Sequence, residues 1–357
     1  MEIYFVLLTM IIILSVLPTK MYAVLVTVLM GGIAAIRDVS VGTDTAMYNG
    51  IYNGVNEASF EWTYYDKTLT EIGDRFFMVL AKNIFDMPQG YIILSSAITF
   101  ICFCLFFYKE TDKKYFWVVI FCFIALQYYA ICLNTLRQVL AISIGIFFYM
   151  YAKNNKYICA FLSILIGALF HLSVVVYIPV LIYYIVIKKI KKLDIKWINV
   201  CSLIFSVIES LVIYIGYRIF MSSPEILGDK YILYAYNSYS DSSDQGVSVI
   251  TIAIMICIII TIMRQFFKHD IIKDNTLLIM LSLQYVLFAF ATSYIMSIIF
   301  RVMILFYPFI FMLIAEFIEN TQNKYLRPIF IICLIVFGYI NLYYHIPDDV
   351  VPYNVFF

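Results

Sequence analysis

The chain has 357 residues, of which 64% are hydrophobic and only 13% charged, with a formal net charge of +1 and a mean hydropathy of +0.94. A soluble domain carries roughly a quarter charged residues, so this composition excludes a soluble globular protein and points to an integral membrane protein. There is no Gly-rich phosphate loop and no nucleic-acid signature. No zinc spacing is present either: the eight cysteines lie in or beside apolar runs without a CxxC, and His171, His269 and His345 are far apart. No metal and no cofactor are expected.

A membrane span needs about 20 apolar residues, with about 17 as a lower limit. Candidate spans run approximately over 3–17, 21–36, 89–108, 115–132, 136–152, 157–172, 173–187, 198–220, 248–263, 276–297, 300–318 and 328–345, about twelve in all. Several are short, the first reads equally as a half-span, and the stretch 157–187 admits another division. Residues 3–17 have the apolar core of a signal peptide but no basic residue before it and no small-residue cleavage site, so they read as retained. The expected fold is an all-α polytopic membrane protein, a single transmembrane domain over 1–357, with two larger loops at 37–88 and 221–247.

The first loop opens with IRDVSVGTDTAMYNGIYNG, 36–54. Gly42 permits a tight turn, and Asp44 between two threonines makes a polar cluster. Arg37 beside Asp38 reads as a local pair. Further on, LTEIGDRFFMVLAKNIF, 69–85, has apolar residues at helical spacing, which predicts an amphipathic surface helix. Glu71, with Gly73, sits at its start and reads either as facing a pocket or as an ordinary N-terminal helix acid.

LNTLRQVLA, 133–141, places an arginine between two apolar runs. A charge in hydrocarbon costs on the order of 2.5 kcal/mol or more, so Arg137 lies at a water interface or has a partner. Asn134, Arg137, Gln138 and Ala141 have the spacing of one helical face, and Asn134 or Thr135 is a candidate cap. An arginine in the first turns of such a helix suits an anion. His171 closes the apolar run ILIGALF and is followed by Ser173; it reads as a structural histidine, a general base or a donor that positions an acceptor. The second loop carries YILYAYNSYSDSSDQG, 231–246, where Tyr236 and its neighbours fit either a sugar-stacking lid or an interfacial tyrosine belt.

Six short links, 18–20, 109–114, 153–156, 188–197, 264–275 and 319–327, hold 16 of the 24 basic residues. The positive-inside rule makes that side cytoplasmic and puts both termini and both large loops outside. The inner side then has fourteen lysines and two arginines, and the outer side three lysines and five arginines: Arg37, Arg75, Arg137, Arg218 and Arg301. Lysine is a generic anchor, whereas the arginine fork suits bidentate phosphate or carboxylate binding. Any one of these arginines also reads as a snorkelling or ion-paired side chain; as a set they favour an anion site.

The pattern R-x-x-x-x-G-T-D-x-x-x-Y (Arg37, Gly42, Thr43, Asp44, Tyr48), then E-x-G (Glu71, Gly73), L-N-x-x-R-Q-x-x-A (Leu133 to Ala141) and F-H-x-S (Phe170, His171, Ser173) resembles the EpsG family of Wzy-type polysaccharide polymerases. The likeness covers most of the chain in order; the last third matches loosely, through Arg301 before a span. The resemblance implies a GT-C-like fold of the bacterial cytoplasmic membrane with its site facing outward. It implies that donor and acceptor are undecaprenyl-diphosphate-linked oligosaccharides, joined into O-antigen, capsule or exopolysaccharide, with a chain-length regulator protein as a further possible partner besides the lipid bilayer. On that reading Arg37, Arg137 and Arg301, with Gln138 and Asn134, hold the diphosphate; Tyr48, Ser173 and Tyr236 contact sugar; and His171, Asp44 and Glu71 are the catalytic candidates. An O-antigen ligase shares fold and donor and is the nearest alternative. A lipid-phosphate-sugar glycosyltransferase, which also keeps acids in its first outer loop as Asp38 and Asp44 stand here, is a second alternative; a flippase and a membrane O-acyltransferase fit less well.

Overall fold

The computed structural model describes residues 1–55, 71–85, 87–190, 195–222, 276–294 and 299–356. The expected span 248–263, Tyr236 and most of the expected loop 221–247 lie outside the described residues, as does the 56–70 part of the first loop. In chain order the helices are α1 (Glu2–Leu14), α2 (Thr19–Ala35), α3 (Thr45–Gly54), α4 (Ile72–Ile84), α5 (Gly90–Glu110), α6 (Phe116–Ala125), α7 (Tyr128–Asn134), α8 (Leu136–Gly145), α9 (Phe147–Lys153) and α10 (Tyr157–Ala168). A 3-10 turn, Leu172–Val176, leads to α11 (Tyr177–Lys189), α12 (Ile195–Ser222), α13 (Thr276–Tyr294), α14 (Ile299–Glu319) and α15 (Leu326–His345). Among the described residues the one β feature is an antiparallel bridge between Arg37 and Val355. The chain divides into two compact units, Met1–Val175 with Ile318–Phe357, and Val176–Phe317.

The helices wear their apolar side chains outward. Val24 and Val28 on α2, Ile158 on α10, Leu203, Ile208 and Val212 on α12, and Ile332 and Ile340 on α15 are exposed. Arg37, Asp74, Arg137, Gln138, Glu209, Gln284 and Asn341 are buried. A soluble protein does the reverse; apolar faces turned out and polar groups held inside belong to a multi-pass membrane protein. The sequence predicts about twelve spans. By length and composition four described helices qualify, Gly90–Glu110, Leu172–Lys189, Phe300–Glu319 and Leu326–His345, or five if α6 and α7, bent by 58°, form one span.

The span 248–263 lies outside the described residues, Glu2–Leu14, Thr19–Ala35, Tyr157–Ala168, Val200–Gly216 and Thr276–Ala289 are apolar but shorter, and part of the rest comes from breaks inside apolar runs. The predicted span 115–132 is two helices because Gln127 takes a left-handed φ of 66°. A backbone broken in an apolar setting must find partners. Here Asn341 Nδ2 donates to Ala125 O at 2.8 Å, and Gln127 Nε2 donates to Asn341 O at 3.2 Å. Gly338 lets α15 come close enough to do this: a Cβ there would lie 2.7 Å from Phe121 and 2.8 Å from Ala125.

In the first unit α5 is central, packing against α2, α4 and α8. The C-terminal segment folds back over the loop that begins at Ile36. Asp38 N donates to Asn354 O at 2.9 Å, Phe356 N to Ile36 O at 3.0 Å and Gly42 N to Asp349 O at 2.8 Å. Tyr4 OH adds a bond to Val350 O at 2.9 Å. These bonds fix the 36–44 stretch against the helices. In the second unit α12 packs against α11 and α13.

Candidate functional site

The polar core of the first unit is built around Arg137, in the first turn of α8 and only 6% exposed. Its Nε donates to Tyr48 OH at 2.6 Å, its Nη1 is ion-paired with Glu71 Oε2, and Asp74 Oδ2 lies 3.9 Å from Nε. The guanidinium also stands over the Tyr48 ring, 5.0 Å from its centroid. Asp74, fully buried, accepts a 2.5 Å hydrogen bond from Tyr91 OH. The arginine is therefore buried with partners rather than placed in water. Burial pushes the Tyr48 phenol well above its usual range, so it stays a neutral partner to the guanidinium.

Four separate stretches assemble this cluster, and close approaches explain how. Gly42 has φ 95°, a region that disfavours a Cβ, and a Cβ there would collide with Leu133 O and lie 3.1 Å from Asn134 Oδ1. Thr43 N donates to Asn134 Oδ1 at 3.1 Å, and Thr45 Oγ1 bonds Val41 O at 2.8 Å. The Gly-Thr-Asp turn thus docks on the end of α7 and starts α3, which delivers Tyr48 to Arg137. On the other side, Gly73 N donates to Leu169 O at 2.9 Å, and a Cβ on Gly73 would lie 2.7 Å from Leu169. That contact sets α4 beside the Phe170–Ser173 segment and brings Glu71 and Asp74 to Arg137. Phe77 seals the junction edge-on to Phe170, with centroids 5.6 Å apart.

Gly73→Ala should therefore push α4 away from Leu169. We expect a cost of about 1–3 kcal/mol from overpacking and a lower melting temperature in detergent, with Glu71 displaced from Arg137.

Beside the arginine, Gln138 Nε2 donates to Ser173 Oγ at 3.4 Å, and Ser173 Oγ lies 2.8 Å from His171 Nδ1. Ser173 N also points at Nδ1, at 3.3 Å. A ring nitrogen that receives a backbone N–H is an acceptor, so the neutral imidazole carries its proton on Nε2. His171, as placed, offers a donor at Nε2.

Several expectations change. Asn134 does not share a helix with Arg137, because Thr135 breaks the chain with φ −106° and ψ 58°. Neither Asn134 nor Thr135 gives α8 a side-chain cap: the Thr135 hydroxyl turns back to Ile131 O at 3.0 Å, and Asn134 is engaged by Thr43. Arg37 does not pair with Asp38. Its side chain is fully buried, donating through Nη1 to Ala34 O and to Ser96 Oγ at 3.1 Å, while Nε and Nη2 have no hydrogen-bond partner among the described residues. Burial works against its charge. Asp38 instead accepts from Ser40 N at 2.9 Å, which lowers its pKa. Asp44 is half-buried at the N-cap position of α3 without a side-chain cap bond.

The structure brings Tyr48, Glu71, Arg137, Gln138, His171 and Ser173 into one neighbourhood. Arg37 lies in a different cluster. Arg301, half-buried in the first turn of α14, belongs to the other unit, and Tyr236 is outside the described residues. Asp74 and Tyr91 complete the cluster although the sequence reading assigns them no role. The signal for Asp74 was present, three residues after Glu71 and so on the same face of α4. Tyr91 is one of 31 tyrosines and carries no signal that sets it apart.

A model of the EpsG family matches residues 20–355. No curated protein and no solved structure gives a significant match.

Proposed function

We propose, from the premise that the chain belongs to the EpsG family and is thus a polysaccharide-polymerase-like membrane protein, that it joins undecaprenyl-diphosphate-linked oligosaccharide repeat units at the outer face of the cytoplasmic membrane. The observation that carries this reading is the buried Arg137–Glu71–Asp74 cluster, assembled by the same four stretches that carry the family pattern.

With Glu71 ionised, the cluster has zero or negative net charge whichever state Asp74 takes. Arg137 therefore holds a diphosphate by exchanging partners. The donor's diphosphate takes the guanidinium fork from Glu71, the less buried carboxylate at 19% exposed, and the released carboxylate becomes the base. The acceptor hydroxyl gives its proton to Glu71, and its oxygen bonds the donor's anomeric carbon. The bond from that carbon to the diphosphate oxygen breaks, and undecaprenyl diphosphate leaves with its charge stabilised by arginine. Direct displacement inverts the anomeric carbon; a product linkage that retains the donor's configuration would contradict it. His171 orients the acceptor through Nε2–H, held in that tautomer by Ser173 and Gln138. Arg37, in its own buried cluster with Nε and Nη2 unbonded among the described residues, and Arg301, in the second unit, remain candidate anion ligands. Asp44 remains a catalytic candidate, Asn134 a candidate contact to the diphosphate and Tyr236 a candidate contact to sugar.

His171→Ala should lower polymer output by roughly 10²-fold at unchanged membrane abundance, the low end of what a positioned proton donor or acceptor contributes. Ser173→Ala should lower it less. Immunoblotting of membranes beside a polysaccharide gel checks both.

The proposed activity is tested by deleting the gene in its host and resolving the surface polysaccharide on a gel. A single repeat unit on the acceptor, with the ladder restored by wild type, supports a polymerase. Accumulation of free lipid-linked polymer instead identifies an O-antigen ligase.

A further inference from the structure

Helix α12 in the second unit carries Ser202, Ser206, Glu209 and Ser210 on one face, spaced i, i+4, i+7 and i+8. The opposite face is apolar and exposed. Glu209 sits inside the apolar stretch Val200–Gly216 and is 6% exposed. Its Oε2 accepts from Gln284 Nε2 of α13 at 2.5 Å, and Gln284 Oε1 accepts from Ser210 Oγ at 3.1 Å. Glu209 Oε1 and Ser206 Oγ have no hydrogen-bond partner among the described residues.

Among the described residues the packed neighbours supply no counter-charge. Helix α13 has no Asp, Glu, Lys, Arg or His; its titratable groups are Tyr285 and Tyr294. On α11 the cations Lys188 and Lys189 sit at the C-terminal end, five and six residues beyond Tyr183, whose hydroxyl meets Ser202 at 3.3 Å. Tyr177 and Tyr184 complete that helix's titratable groups. On α12 itself, besides Cys201, Tyr214 and Tyr217, the cations Lys196 and Arg218 are thirteen and nine residues from Glu209, roughly 20 and 13 Å along the axis at 1.5 Å per residue. Helix α14 reaches α13 through Tyr285 stacked on Tyr307; its charged residues Arg301, Glu316 and Glu319 lie six residues before and nine and twelve after Tyr307. No described cation is in ion-pair contact with Glu209.

An ionised carboxylate with only neutral partners in an apolar setting is far costlier than a neutral acid. We infer that Glu209 is a proton-binding site within the membrane, a carboxylic acid at neutral pH held by Gln284 and Ser210. Protonation puts the hydrogen on Oε1 and leaves Oε2 as the acceptor from Gln284. This inference does not rest on the polymerase reading.

The test uses the full chain in lipid nanodiscs treated with dicyclohexylcarbodiimide, an apolar reagent that adds to protonated carboxyls, followed by peptide mass spectrometry. Infrared spectra report the carboxylic acid C=O stretch independently. A label on Glu209 or an acid C=O band at neutral pH is expected, absent in Glu209→Gln and fading as pH rises. Absence of both signals at neutral pH overturns the inference. So does a label abolished by Na⁺ at fixed pH, which would make the site one for a cation.

Discussion

Arg137→Lys is expected to abolish polymer synthesis as completely as Arg137→Ala. The guanidinium serves two directions at once, Nε to Tyr48 and Nη1 to Glu71, while lying over the Tyr48 ring. A lysine keeps the charge but is a point donor that cannot span that fork. Arg137→Ala removes the cation that is ion-paired with Glu71 and close to buried Asp74, and breaking a buried pair on one side costs about 3–5 kcal/mol. Its melting temperature and membrane abundance should fall. Removing both partners, as in Arg137→Met with Glu71→Met, should recover part of that stability because no unpaired charge at Arg137 or Glu71 remains. It should recover no activity. Thermal melts in detergent and the polysaccharide ladder measure the two effects separately. A ladder restored by lysine would show that Arg137 acts only as a charge.

Glu71→Gln separates chemistry from architecture. The amide oxygen still accepts from Arg137, Asp74 stays beside the guanidinium and the side chain keeps its shape at the start of α4, so stability and abundance should fall far less than in Arg137→Ala. The proton acceptor is gone, and output should fall by roughly 10²- to 10⁴-fold, the range of general base catalysis. A normal ladder from Glu71→Gln would assign Glu71 to holding Arg137 in place and return the base to another group.

Most of this site was visible in the chain before the fold was known, but as fragments. Arg137 in an apolar run required either a water interface or a partner, and the structure supplies partners in Glu71 and Tyr48. Gly42 was legible as a tight turn and Gly73 only as part of the family pattern; the structure shows that each lets backbone come close, at Leu133 and at Leu169. The helix breaks at Gln127 and Thr135 were hidden because apolar composition is the same on both sides of a kink. At Gln127 the broken backbone is met by two long-range bonds with Asn341, more than two hundred residues away. The break at Thr135 also separates Asn134 from Arg137, which periodicity had placed on one face. Arg37 misled for a simpler reason: adjacency to Asp38 suggested a pair, but the bridge to Val355 turns its side chain into the core. Asp74 needed only the i+3 spacing from Glu71, while Tyr91 required the packing of α4 on α5.

The most direct measurement of the central claim uses purified protein in nanodiscs with a single undecaprenyl-diphosphate-linked repeat unit, and mass spectrometry of the products. Lipid-linked dimers and longer oligomers should appear, one undecaprenyl diphosphate released per bond formed, and neither should appear with Glu71→Gln or Arg137→Lys. Oligomers of undiminished yield from those two variants would contradict the assignment of the Arg137–Glu71 cluster as the reacting centre, and no oligomers from wild type would contradict the polymerase itself.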